Sequence, residues 1–168
     1  MSAYRHFTSK DDLVEAALEL YNPRHVQWLA GRRGPSAGGS DGVGEDARPG
    51  PAESARRILS AFDRLESAAG GENFRGCPFV DAALAAPAPG GRIVAIAGRH
   101  KQDVIGALAG LAARAEMDEP EEVGAAVALV IDGAAAQAAV APDPAARQRI
   151  VRRGRRIAEM LLATAGQA

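Results

Sequence analysis

The sequence predicts an all-α protein, and three observations carry that expectation. Hydrophobic residues make up 47% of the 168 residues but aromatic residues only 4%. Such a core is built from alanine, leucine, valine and isoleucine, which suits close-packed helices better than a β-sandwich. Apolar residues recur at helical spacing in most segments. Proline and glycine fall where those segments would start and stop.

Length and composition also limit function. The chain has the size of one domain, or of one domain with a fragment of another. A formal net charge of −1 provides no global basic field, so any nucleic-acid contact must come from a local patch. The single cysteine, Cys77, excludes an internal disulfide and a cysteine-rich zinc site, and it fits a reducing, cytoplasmic compartment. No leading charged-then-apolar run resembles a signal peptide. The longest apolar region, Val123 to Val140, is interrupted by Asp132 and Gln137 and reads as a packed helix, so no membrane partner is expected.

Ser9 suits an N-cap, with Asp11 and Asp12 in the first turn where the helix dipole favours negative charge. Leu13, Ala17, Leu20 and Trp28 then recur near helical spacing, with Val14, Leu18 and Tyr21 beside them. Pro23 predicts a break after about Tyr21 and a resumption towards Leu29. Residues 31–51, "GRRGPSAGGSDGVGEDARPGP", are rich in glycine and almost free of apolar side chains, which predicts a flexible loop. Helical spacing resumes from Ala52 to Ala69 through Ile58, Phe62 and Leu65. Gly70 and Gly71 suit a left-handed C-cap.

A short helix is expected from Cys77 to Ala86. The next segment, Arg92 to Ala115, opens with "GGRIVAIAG", which looks like a buried parallel strand. Its stripe of Ile93, Ile96, Ala97, His100, Val104, Leu108 and Leu111 nevertheless keeps helical spacing, and no other segment supplies partner strands. Glu116, Asp118, Glu119, Glu121 and Glu122 surround Pro120, marking an acidic helix start that leads on to about Val140. Pro142, Asp143 and Pro144 punctuate a connection to a last helix, Ala145 to Ala165. Its stripe of Ile150, Gly154, Ile157 and Leu161 carries Val151, Ala158 and Leu162 alongside.

Catalytic patterns are absent from the sequence. His6, His25 and His100 show no metal-ligand spacing, and neither GxSxG nor GxxxxGK[ST] occurs. No enzyme activity, metal or cofactor is expected. Cys77, at the start of a short helix, could be a dipole-activated thiolate or an inert cysteine beneath aromatic rings. The six arginines between Arg147 and Arg156 read as a solvated face whose partners are the acids from Glu116 to Glu122, with a phosphate-binding surface as the other reading. Phe62, Phe74, Cys77, Phe79, His100 and Val104, with Trp28 at the mouth, are candidates for a pocket or for ordinary core.

With the helices placed, "YRHFTSKDDL" resembles the corner after the recognition helix in TetR-family transcriptional regulators. "FRGCPFVDAALAAP", "RHKQDVIGALAGLAARAE" and "LVIDGAAAQAAVA" resemble, in order, segments of a ligand-binding domain in that family. The resemblance implies a TetR-like helical ligand-binding and dimerisation domain over 52–168 and a remnant of the helix-turn-helix head with its linking helix over 1–30. Only Met1, Ser2 and Ala3 stand where earlier head helices would be, so operator binding is implied only where an upstream head is present.

Several roles follow from the resemblance. Tyr4, His6, Ser9 and Lys10 would contact DNA backbone, and a small, largely apolar effector would occupy the pocket. The last two helices would pair with a second copy through Val127, Val130, Ile131, Gly133, Ala134, Ile150, Gly154, Ile157 and Leu161. The same stripes could instead be intrachain core. The other functional reading is a stand-alone helical dimer that binds a small molecule, or a full-length homologue, without specific DNA binding.

Overall fold

The computed structural model describes residues 7–29, 49–86 and 90–166. These contain six α-helices and no strand: α1 (Lys10–Leu29), α2 (Pro51–Ala69), α3 (Pro78–Ala85), α4 (Arg92–Arg114), α5 (Pro120–Ala139) and α6 (Pro144–Ala165). The segment "RIVAIAG" is the start of α4. Most of the expected 31–51 loop lies outside the described residues.

Local chemistry accounts for most helix starts. Pro51, Pro78, Pro120 and Pro144 each open a helix, where the missing N–H is no loss and φ is already set. The Ser9 hydroxyl accepts from the Asp12 N–H at 3.1 Å, and Asp12 Oδ2 accepts from the Thr8 N–H at 3.1 Å, a reciprocal cap on α1. Asp143 caps α6 by accepting from the Ala146 N–H at 2.7 Å.

The end of α2 departs from expectation. Gly70 is right-handed, with φ −70°, and its N–H reaches back to the carbonyls of Glu66 and Ser67. The last turn tightens instead of reversing hand. Among the described residues the left-handed glycines are Gly76 (φ 83°) and Gly90 (φ 80°), on the approaches to α3 and α4.

The expected break at Pro23 does not occur, and α1 runs through it. Polar contacts to α4 hold the two turns that lead into the proline. Arg92 pairs with Glu15 at 3.0 Å and with Glu19 at 3.5 Å, and Arg99 reaches Glu19 at 3.8 Å. Asn22 bonds to α4 one residue before the proline. The inward face also differs from the expected stripe: Leu18 is buried and Val14 half-buried, whereas Leu13, Ala17 and Leu20 face solvent.

Helix α4 is central, packing against α1, α2, α3 and α5. Its whole predicted stripe, from Ile93 to Leu111, is buried. The first half of that stripe joins Leu18 and Phe79 in a small core; the second half joins Ile58, Phe62, Val127 and Val151 in a larger one. Although α5 is long and apolar enough to cross a membrane, it packs here between α4 and α6, burying Val123, Val127 and Ala135.

On α6 the buried positions are Val151, Gly154, Ala158 and Leu162. Its arginines do not use the Glu116 to Glu122 acids. Because α6 lies along α2, Arg152 pairs with Glu66 at 2.8 Å and Arg155 with Asp63 at 3.2 Å, while Arg147 donates to the Gly71 carbonyl.

Among the described glycines the tightest is Gly124, where an added Cβ would lie 2.6 Å from the backbone N of Ala109 on α4. Backbone cannot yield as a flexible side chain can. Gly124→Ala should lower stability by about 1–3 kcal/mol, read as a lower urea midpoint. Gly106→Ala is the control: nothing lies within 4 Å of its added Cβ. Helix propensity there favours alanine by up to about 1 kcal/mol.

Candidate ligand cavity

Between the two cores lies a cavity of about 270 Å³, walled by residues of α1 to α5 and the α2–α3 connection. Tyr21 and His25 come from α1, and Arg64, Leu65 and Ala68 from α2. Phe74, Gly76, Cys77 and Phe79 enter from the connection and α3. His100, Lys101 and Val104 project from α4, and Ile131, Asp132 and Ala135 from α5.

One wall is a run of rings. Phe79 and His100 stack at 3.6 Å with 6° between their planes. His25 lies 5.3 Å from His100 and stacks on Tyr21 at 5.8 Å, and Tyr21 returns to Phe79 at 5.9 Å. Opposite in chemistry is an ionic cluster, in which Lys101 Nζ donates to Asp132 Oδ1 and lies 3.5 Å from Cys77 Sγ.

A hydrogen-bond chain fixes the His100 ring. Asn22 Nδ2 donates to Asp103 Oδ2 at 2.8 Å, which leaves Asn22 Oδ1 facing His100 Nδ1 at 2.6 Å. The Nδ1–H therefore donates, and Nε2 carries the lone pair. Burial, with His25 and Lys101 adding to it, pushes the His100 pKa down to about 4 against a smaller opposing pull from Asp103. Burial, then the charges of Lys101 and Arg64, also lower His25. Both imidazoles are neutral at pH 7.

Of the expected pocket residues, Phe74, Cys77, Phe79, His100 and Val104 line this cavity. Phe62 does not: it is fully buried in the larger core, facing Gly154, where an added Cβ would meet its ring at 3.4 Å. Trp28 lies on α1, with its side chain outside the described part. Tyr21, His25, Arg64, Lys101 and Asp132 were not anticipated. Asp132, a lone acid inside an apolar helix, was the signal available for the ionic cluster.

The other candidate residues scatter. Tyr4 and His6 lie outside the described residues, and Ser9 and Lys10 are exposed at the start of α1. Within the expected interface, Val127, Ala134 and Gly154 are buried inside the chain. A Cβ at Gly154 would lie 3.0 Å from Ala134 Cβ, so its close helix approach is between α5 and α6 of one chain. Ile131 faces the cavity. Val130, Gly133, Ile150 and Leu161 are half-buried, and Ile157 is exposed. No cluster of three or more metal-ligating side chains occurs among the described residues.

These features define a helical domain closed around a small mixed aromatic and ionic cavity. Two solved structures share the architecture. A protein from Streptomyces avermitilis MA-4680, assigned to the TetR-type transcriptional regulators, superposes with a TM-score of 0.68 at 26% identity, over 98% of this chain and 79% of that one. A TetR-family transcriptional regulator from Streptomyces coelicolor gives 0.70 at 21% identity, over 98% and 77%. No family model and no curated protein matches the chain by sequence. The fold is TetR-like, and its neighbours support a regulatory role.

The neutral histidines give stability a defined pH dependence. Their folded pKa values lie below the unfolded value of about 6.5, so on acidification the unfolded chain takes up protons first. Stability should hold above about pH 6.5 and fall as pH drops towards the folded His100 value of about 4. His100→Gln should flatten part of that fall, measured as the slope of unfolding free energy against pH.

Proposed function

We propose that this chain acts as a ligand-responsive transcriptional regulator of the TetR type. A small effector with a largely apolar body enters the cavity, two copies pair through α5 and α6, and α1 carries the response to operator DNA. The observation behind this reading is that α1 belongs to the cavity wall. Tyr21 and His25 line the cavity, and Asn22, between them, bonds to two residues of α4. A ligand cannot repack those rings without biasing the helix that carries Ser9 and Lys10 at its other end. Such coupling is worth typically about 1–3 kcal/mol.

Pairing through the last two helices is supported by what they leave uncovered. Leu129, Val140, Ile157 and Met160 are large apolar residues at least half exposed on or next to α5 and α6. An isologous interface would cover them in both copies at once. The buried face of α6 is separate, so Ile157→Glu should give a monomer of unchanged helicity, read by sedimentation equilibrium and circular dichroism.

The regulatory reading is tested on protein purified from its native source, by gel shift at moderate salt with DNA flanking its own gene. Retardation that survives unrelated competitor DNA is expected. A dimer that leaves this DNA unretarded would overturn the regulator and leave a stand-alone sensing dimer. In the same assay Lys10→Ala should weaken retention of all sequences about equally, because a backbone contact positions without reading bases.

A further inference from the structure

Resting on the cavity as an effector site, we infer that its ligand is a compact aromatic carboxylic acid bound as the anion, with its ring on the Phe79–His100 wall and its carboxylate at Lys101. His100 and Lys101 are neighbours on α4, so a stacking surface and an ammonium enter the cavity from adjacent positions. The ring wall selects a planar body, since four aromatic side chains already pack there at stacking distances.

Charge selects the head group. The ionised side chains lining the cavity are Arg64, Lys101 and Asp132, two cations to one anion. The same cations act on the histidines beside them: after burial, Lys101 lowers both and Arg64 lowers His25, while Asp103 raises His100. An amine would meet two cations, and the one carboxylate in the lining, Asp132, is already held by Lys101.

Lys101 also has donor capacity to spare. Its ammonium carries three N–H groups, of which Asp132 takes one and Cys77 Sγ, a weak acceptor, stands 3.5 Å away. A ligand carboxylate would be a far stronger acceptor in that place. The volume, about 270 Å³, equals roughly nine liquid waters, which suits one ring with a short acidic substituent.

The test is titration calorimetry at neutral pH with phenylacetate, phenylacetamide and phenethylamine, which share a ring and differ in charge. Phenylacetate should bind at least about tenfold more tightly than the amide, with the amine weakest. Lys101→Met should erase the difference by weakening the acid alone. Should that variant fold poorly, Asp132→Asn serves from the other direction: removing the competing carboxylate should tighten the acid. Amide or amine binding as tightly as the acid, or an acid preference that survives Lys101→Met, overturns the assignment. If the amide or amine wins and Ala68→Phe, at the cavity edge, abolishes its binding, the cavity remains an effector site with a different ligand. Binding of none of the three overturns both readings.

Discussion

His100 stacks on Phe79 of α3 and bonds to Asn22 of α1, so one side chain of α4 touches both of the helices that pack mainly on α4. The arrangement works only with a neutral ring. A protonated imidazole at that depth would lack solvation and would face Lys101, and the depressed pKa expresses the cost. The small core and the aromatic wall meet at the Phe79–His100 stack.

The rest of the molecule is organised around the division that His100 marks. Above Val104 the α4 stripe belongs to a dense core of α2, α4, α5 and α6, where Gly124 lets two backbones approach more closely than any side chain allows. Before His100 the same stripe serves α1 and α3, whose attachment is partly ionic and polar. The cavity lies at the seam. A site there has one rigid side and one side held by fewer, more exchangeable contacts, the distribution expected of ligand-responsive regions.

How much of this the sequence disclosed depends on the range of the interaction involved. The α4 stripe and the proline start of α5 were legible because helix period and proline geometry act within a few residues, whereas Pro51 and Pro144, expected in a loop and a connection, open α2 and α6. Of the five expected residues that line the cavity, Phe74, Phe79 and His100 carry rings, which are scarce in this sequence and have few places to be buried. The face of α1 was not: apolar residues lie on both sides of that helix, and only the position of α4 decides that Leu18 goes in and Leu20 out. The Asn22–His100 bond, and the pairing of Lys101 with Asp132, join residues that no local pattern relates. Likewise Gly154 announced a close helix approach but not whether the partner belonged to the same chain.

The scarcity of aromatic residues has a practical side. Tyr4, Tyr21 and Trp28 are the only tyrosines and tryptophan in the sequence, and all precede the α2 helix. Tyr21 stands in the cavity wall, and Trp28 is on the same helix two turns later. The near-ultraviolet absorbance and intrinsic fluorescence above the phenylalanine band therefore originate from one end of the chain. The protein carries its own optical probe of α1, and spectra recorded during a titration follow that helix without any label.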